Sequence, residues 1–288
     1  MPKIKYIDKQ IRQAGLDKIA QVNAIIEEYQ EQGYSLTLRQ VYYQLVSKNI
    51  IPNSERSYDN IGNLIKDGRL VGLIDWDGIE DRTRHFRTLS HWNNPNEILR
   101  SAAYSYRIDL WQNQEFYVEC WVEKDALISI VEQASNRYDV PCTSCRGYES
   151  ASIMWRSAQR LIEKSNEGRT CIILHLGDHD PSGTDMSRDI GKRLHELKAD
   201  VEIKRIALTM QQIELYNPPP QPAKKTDSRF KKYKEEHGAN SWELDALEPS
   251  VLDELIGDNI VKYLDIDLFE ETKIRQEEER KQLIELAG

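Results

Sequence analysis

Cysteine is scarce in this sequence. The four present, Cys120, Cys142, Cys145 and Cys171 in 288 residues, are too few for a disulfide scaffold, so they read as reduced thiols packed like small apolar groups. Long apolar runs are missing as well. No stretch approaches the roughly 18 uncharged residues needed to cross a bilayer, and the first ten residues, MPKIKYIDKQ, lack the apolar segment of a signal peptide. A cytoplasmic protein is the expectation. No internal repeat is present, which excludes a solenoid, and no G-x-x-x-x-G-K-[ST] loop, which excludes the commonest nucleotide triphosphate site. The PCTSC segment around Cys142 and Cys145 has the P-C-x-x-C form of a zinc deaminase, but the required H-x-E is absent: His85 and His91 are followed two places on by Arg87 and Asn93.

Positive charge is in deficit, 39 Lys and Arg against 48 Asp and Glu for a net charge of -9. Phosphate binding rests on Lys and Arg, so this balance argues at first against nucleic acid. The deficit is local, however. Residues 1–115 hold 15 basic and 15 acidic residues, and the remaining 24 and 33 carry the whole excess of acid. A neutral N-terminal half can bind DNA while the acid of the other half serves a metal and a solvated surface. With 39% hydrophobic residues the chain has enough apolar mass for two ordinary cores.

Residues 8–32 carry Ile11, Leu16, Ile19, Val22, Ile25 and Ile26 mostly three or four apart, a helical spacing closed by Gly33. Thr37, with Gln40 three places on, predicts a capping box and a second helix. Its apolar stripe is Leu38, Val41, Tyr42, Leu45 and Val46. A polar turn follows, then a third helix predicted to turn at Gly68 into a strand, then a hairpin-like tip over 75–84. Helix, helix, turn, helix and hairpin is the order of a winged helix-turn-helix, expected over residues 1–110.

From about residue 111 the pattern alternates between apolar runs and amphipathic helices. FYVECWV, TCIILHL and VEIKRIALT read as strands, with a shorter one at DVPCTSC, and helices lie between them. That is a βαβ series, hence an α/β domain with a mainly parallel sheet over 111–215. Residues 216–288 are expected to form a Pro-rich basic loop and a charged helical extension. Within 217–234 there are four prolines and six Lys or Arg against one Asp, which suits a solvated loop and phosphate contact equally.

Ligands of an open parallel sheet gather at the carboxyl ends of its strands. FYVECWV runs directly into Glu123, and TCIILHL runs into GDHDPSG with Asp178 and Asp180. Two carboxylates at i, i+2 on extended chain point the same way, so with Glu123 they form a candidate hard-oxygen site for a divalent cation. The same residues also suit a capped turn in which Asp180 serves the helix beginning near Ser182. His179 is a candidate for proton transfer or a bystander. On the second helix Tyr42 belongs to the core stripe, whereas Tyr43 lies about 100° around and shares a face with Arg39 at i, i+4. There a phenol can approach a phosphate beside a cation that favours its ionised form. A partly exposed surface pair has the same spacing.

TLRQVYY, VEKDAL and LGDHDPSG, in that order within roughly residues 30–210, resemble the A subunit of topoisomerase VI and the related transesterase that makes meiotic double-strand breaks, in particular the short phage and mobile-element forms called mini-A topoisomerases. The resemblance implies a winged helix bearing a nucleophilic tyrosine, Tyr43, with Arg39 as its companion, and a Toprim domain whose Glu123, Asp178 and Asp180 hold magnesium, one or two ions per site, with manganese able to substitute. It implies a phage, mobile-element or nucleoid setting, and a homodimer that cuts both strands of duplex DNA and stays linked to the 5′ ends. In that family the Toprim domain of one protomer acts with the tyrosine of the other. It also implies a separate ATPase B-type subunit for strand passage. Gln40 stands where the family usually has an acid, and the larger relatives have more N-terminal sequence. Two other readings of the same residues remain: a Toprim nuclease that uses metal-bound water, and a non-catalytic DNA-binding protein whose acids are structural.

Overall fold

Alternation with period two along FYVECWV builds the centre of the molecule. In the computed structural model, which describes residues 3–80, 89–145 and 150–287, this segment is strand β1 (Phe116–Val122). It pairs in parallel with β2 (Cys142–Ser144) on one side and β3 (Thr170–Leu176) on the other, and β4 (Glu202–Ala207) completes a four-stranded parallel sheet in the order β2-β1-β3-β4. Val118, Cys120 and Val122 of β1, with Ile172, Leu174 and Leu176 of β3, face one helical layer formed by α5 (Ile128–Asn136) and α10 (Pro249–Val261). Tyr117 and Trp121, with Cys171 and Ile173, face the other, formed by α6 (Ala151–Asn166) and α7 (Gly183–Glu196). Burial on both faces explains why the strands read as apolar runs. All four cysteines are free thiols, and no helix among the described residues is long and apolar enough to cross a membrane.

The N-terminal region packs three helices around a second core: α1 (Gln13–Glu31), α2 (Leu38–Ser47) and α3 (Glu55–Leu70). The capping box of α2 forms as the sequence predicts, Gln40 N donating to Thr37 Oγ1 at 3.3 Å and Thr37 N to Gln40 Oε1 at 2.9 Å. Gln40 is thereby occupied at the helix start. The strand expected after Gly68 is not there. Gly68 lies inside α3 and is buried because a Cβ on it would meet Ile74 Cδ1 at 2.8 Å and Ile19 Cδ1 at 3.2 Å. Glycine serves close packing at this point rather than a stop, and the chain turns at Gly72, whose φ of +76° suits a residue without a side chain. Two isolated β-bridges, Lys5 with Val71 and Leu36 with Ile79, are the strand-like pairings around this turn. The far arm of the hairpin expected over 75–84 lies outside the described residues.

Beyond the sheet, α8 (Met210–Tyr216) leads into the proline-rich segment. That segment is not an open loop. It forms a small antiparallel ribbon, β5 (Gln221–Pro222) with β6 (Asn240–Ser241), enclosing α9 (Phe230–His237). A turn of 3₁₀ helix, Leu244–Ala246, follows and packs against α2, with Ala246 buried in the N-terminal core. The charged C-terminal helix is present as α11 (Ile266–Ala287), packed on α4 (Pro95–Ser105).

Candidate functional site

The strand order reverses its direction of growth between β1 and β3, and the crevice beyond that point is where an open sheet leaves room for a ligand. Glu123 and Asp178 stand at its rim. Glu123 N donates to Leu176 O at 2.8 Å, and Asp178 N donates to Glu123 Oε2 at 2.9 Å. From behind, Arg205 donates to the carbonyls of Gly177 at 2.9 Å, Asp178 at 2.7 Å and Gly183 at 2.8 Å, fixing the backbone of the acidic turn. Glycine at 183 permits this closeness, since a Cβ there would lie 2.3 Å from Asp178 O and 3.1 Å from Glu123 Oε2.

Asp178 and Asp180 do not share a task. Asp180 Oδ1 accepts from Gly183 N at 2.6 Å and from Ser182 Oγ at 3.0 Å, so it caps the start of α7. Asp178 Oδ1 accepts from Leu244 N at 2.7 Å and pairs with Lys124 Nζ at 2.9 Å. The carboxylates that converge are Asp178, Glu243 and Asp245, whose ligand oxygens all lie within 4.8 Å of one another. Glu123 is held on the Asp178 amide instead. Burial raises the pKa of both Glu123 and Asp178, with the neighbouring carboxylates adding to the effect.

Lys124 sits among the three acids. Its ammonium is 2.9 Å from Asp178 and 2.9 Å from Asp245, and it also pairs with Glu243. Burial opposes that charge, yet Asp245, Asp178 and Glu243 together hold it firmly protonated. Arg39, arriving from α2, pairs with Glu243 at 2.9 Å and with Asp245 at 3.0 Å. Three carboxylates against two cations leave one negative charge in excess. Asp245 is 1% exposed, and its Oδ2 has no well-formed hydrogen bond despite the nearby Arg39. Three hard oxygen donors, one of them short of a donor, fit a divalent cation of the magnesium type.

Tyr43 is more buried than its place on the helical wheel implies, at 3% exposed. Tyr42 is core as expected, its hydroxyl donating to Asn53 Oδ1 at 2.8 Å, and its ring meets those of Tyr43 and Tyr58 edge-on. The Tyr43 hydroxyl accepts from Gln221 Nε2 at 2.7 Å, and its ring lies 5.9 Å from the Arg39 guanidinium. Burial, with Asp245 and Glu243 adding, pushes the phenol up to about 12; Arg39 opposes this and is outweighed. The cation beside Tyr43 therefore does not lower its pKa in this arrangement, because the same cation is spoken for by two carboxylates. A cleft of about 690 Å³ opens here, lined among others by Arg39, Tyr43, Asn53, Tyr58, Lys224 and Glu243.

His179 points away from the acids. Its Nδ1 shares a hydrogen bond with Tyr233 at 2.9 Å, its ring stacks edge-on with His237, and burial lowers its pKa to about 4. Lys124, Arg205, Glu243 and Asp245 were not singled out from the sequence. For the last two a signal existed, the E-x-D spacing of WELD, which repeats the i, i+2 logic of DHD.

No protein-family model matches the chain, and no curated protein matches it.

Proposed function

We propose that the chain is a magnesium-dependent DNA-cleaving transesterase of the topoisomerase VI A-subunit kind, a winged helix joined to a Toprim domain, with Tyr43 as nucleophile. One observation carries the reading: the helix of Tyr43 and Arg39 is tied, through Glu243 and Asp245, to Lys124 and Asp178 at the strand ends. A tyrosine, an arginine and a carboxylate cluster converging on one cleft is the set of groups that phosphoryl transfer to a protein oxygen requires.

The Tyr43 oxygen attacks the scissile phosphorus and forms a phosphotyrosyl ester as the bond from phosphorus to the 3′ oxygen breaks. The phenol gives up its proton and the departing 3′ oxygen takes one up. Arg39 lies where it can pair with the phosphate, and Gln221 keeps the hydroxyl directed. Asp178, with Glu243 and Asp245, would hold the magnesium, which supplies charge compensation at the phosphate when bound. Glu123 and Asp180 support the acidic turn. Duplex DNA, a second copy of the chain and, for strand passage, a separate ATPase subunit are the partners this reading requires.

The burial of Tyr43 favours one rival, hydrolysis of DNA by water at the same acids with the tyrosine structural. Denaturing electrophoresis of the protein with end-labelled DNA and magnesium separates the two. Wild type is expected to carry label into the protein band. Tyr43→Phe should lose the adduct by at least about 1000-fold while binding DNA unchanged, since removal of a nucleophile costs losses of this order or more. Undiminished cutting by Tyr43→Phe would give the case to the nuclease. Chelation of magnesium, or Asp178→Asn, should abolish cleavage under either chemistry, and full activity without metal would remove both.

A further inference from the structure

Resting on that reading, we infer that each strand-cutting site is complete within one chain, with Glu243 and Asp245 as the positioning residues that join the tyrosine helix to the acids of the same protomer. The family resemblance leads to the opposite expectation, a tyrosine served by the partner's acids.

The geometry is continuous. Arg39 of α2 meets Glu243 at 2.9 Å and Asp245 at 3.0 Å. Asp245 meets Lys124 at 2.9 Å, and Lys124 meets Asp178 at 2.9 Å. Asp178 is bound a second time, by Leu244 N at 2.7 Å, so the backbone of the bridging turn and its flanking side chains both hold the acid. One residue farther on, Ala246 is 7% exposed within the core that also contains Tyr42 and Tyr43. Glu243 belongs at once to the carboxylate cluster and to the wall of the Tyr43 cleft. A phosphate in that cleft thus meets the tyrosine, the arginine and one edge of the acidic cluster without help from a second chain.

Serving the partner's tyrosine would require this chain's α2 to leave the turn, which breaks the ion pairs of Arg39 and exposes the apolar contact at Ala246. Buried charges left without partners make that separation unfavourable. The second copy is then needed to place two complete sites opposite each other, rather than to complete either.

Mixed dimers test this. Two differently tagged chains, one Tyr43→Phe and the other Asp178→Asn, are co-expressed and the heterodimer is isolated through both tags. It is incubated with supercoiled plasmid and magnesium, and the protein-linked DNA is counted. A heterodimer of wild type with Tyr43→Phe is the reference, because it retains one working site under either arrangement and should nick. If sites are built within one chain, both sites of the doubly altered heterodimer are defective and adduct falls at least tenfold below the reference. Nicking equal to the reference overturns the inference. Adduct formed by a chain that stays monomeric at assay concentration supports it. Absence of adduct from wild type defeats the transesterase reading itself, and the inference with it, a result distinct from wild-type cleavage accompanied by complementation.

Discussion

Asp245 has its side chain fully buried between Lys124 and Arg39. Removing one member of a buried pair leaves the other charge uncompensated, at a cost of about 3–5 kcal/mol. Asp245→Asn keeps the shape and removes the charge, so urea denaturation should show a loss of that order; an unchanged midpoint would mean that Glu243 and Asp178 suffice for both cations. His175 makes a second residue-scale case. It is wholly buried, its Nδ1 on Ser187 at 2.8 Å, and burial, aided by Arg205, lowers its pKa from 6.5 to about 3. A base whose folded pKa is depressed takes up its proton more readily when unfolded, so stability is full above about 6.5 and declines as pH falls toward 3. The limiting slope from one such group is about 1.4 kcal/mol per pH unit. In His175→Asn that part of the acid sensitivity should vanish from the pH dependence of unfolding. Neither residue announces this from sequence: a histidine in TCIILHL and an aspartate in WELD differ from surface ones only through what covers them.

At the scale of elements, the strands and most helices were legible because burial on both faces leaves an apolar run and burial on one leaves a spacing of three and four. β1 and β3 fall on the segments read as strands, and the box at Thr37 starts α2. Glycine was the weaker guide. At 68 it signals close packing inside a helix, not an end, and the two uses are identical in a string of letters. At 183 its purpose is proximity: Gly183→Ala places a Cβ 2.3 Å from the backbone oxygen of Asp178, so the turn or the start of α7 has to shift. Overpacking of this kind costs about 1–3 kcal/mol. Metal-dependent activity should fall further than stability does, because the displaced atom belongs to the residue shared by the acid turn and the carboxylate cluster. Equal activity in Gly183→Ala would show that the turn tolerates movement. The proline-rich segment was the other surprise: four prolines led to an open loop, whereas Pro222 sits in a two-residue ribbon strand and Gln221 reaches the tyrosine.

In the whole molecule, the N-terminal helices and the sheet domain are joined by the bridging turn and by the five charged groups around it. Ala246 is the apolar contact at its centre. Ala246→Asp would bury a carboxylate in the N-terminal core and should uncouple the two regions, so that calorimetry of the variant resolves two transitions where wild type gives one; a single transition in the variant would mean that the ion pairs alone carry the coupling. A resemblance in three short motifs led to Glu123, Asp178 and Asp180 as the ligand set. The carboxylates that converge on Asp178 come instead from residues about 65 positions downstream. A spacing rule sees neighbours along the chain, and this cluster is made of neighbours across it.

The sequence by itself determined the parallel sheet and its flanking helices, the capped helix of Tyr43, the reduced thiols and the position of acid at the strand ends, since each follows from periodicity, propensity or local spacing. Tertiary structure alone decided that Tyr43 is buried, that Arg39 is shared with Glu243 and Asp245, and that Lys124 lies among the acids. Burial and electrostatics depend on which distant segments fill the space around a group, and only the folded chain brings those segments together.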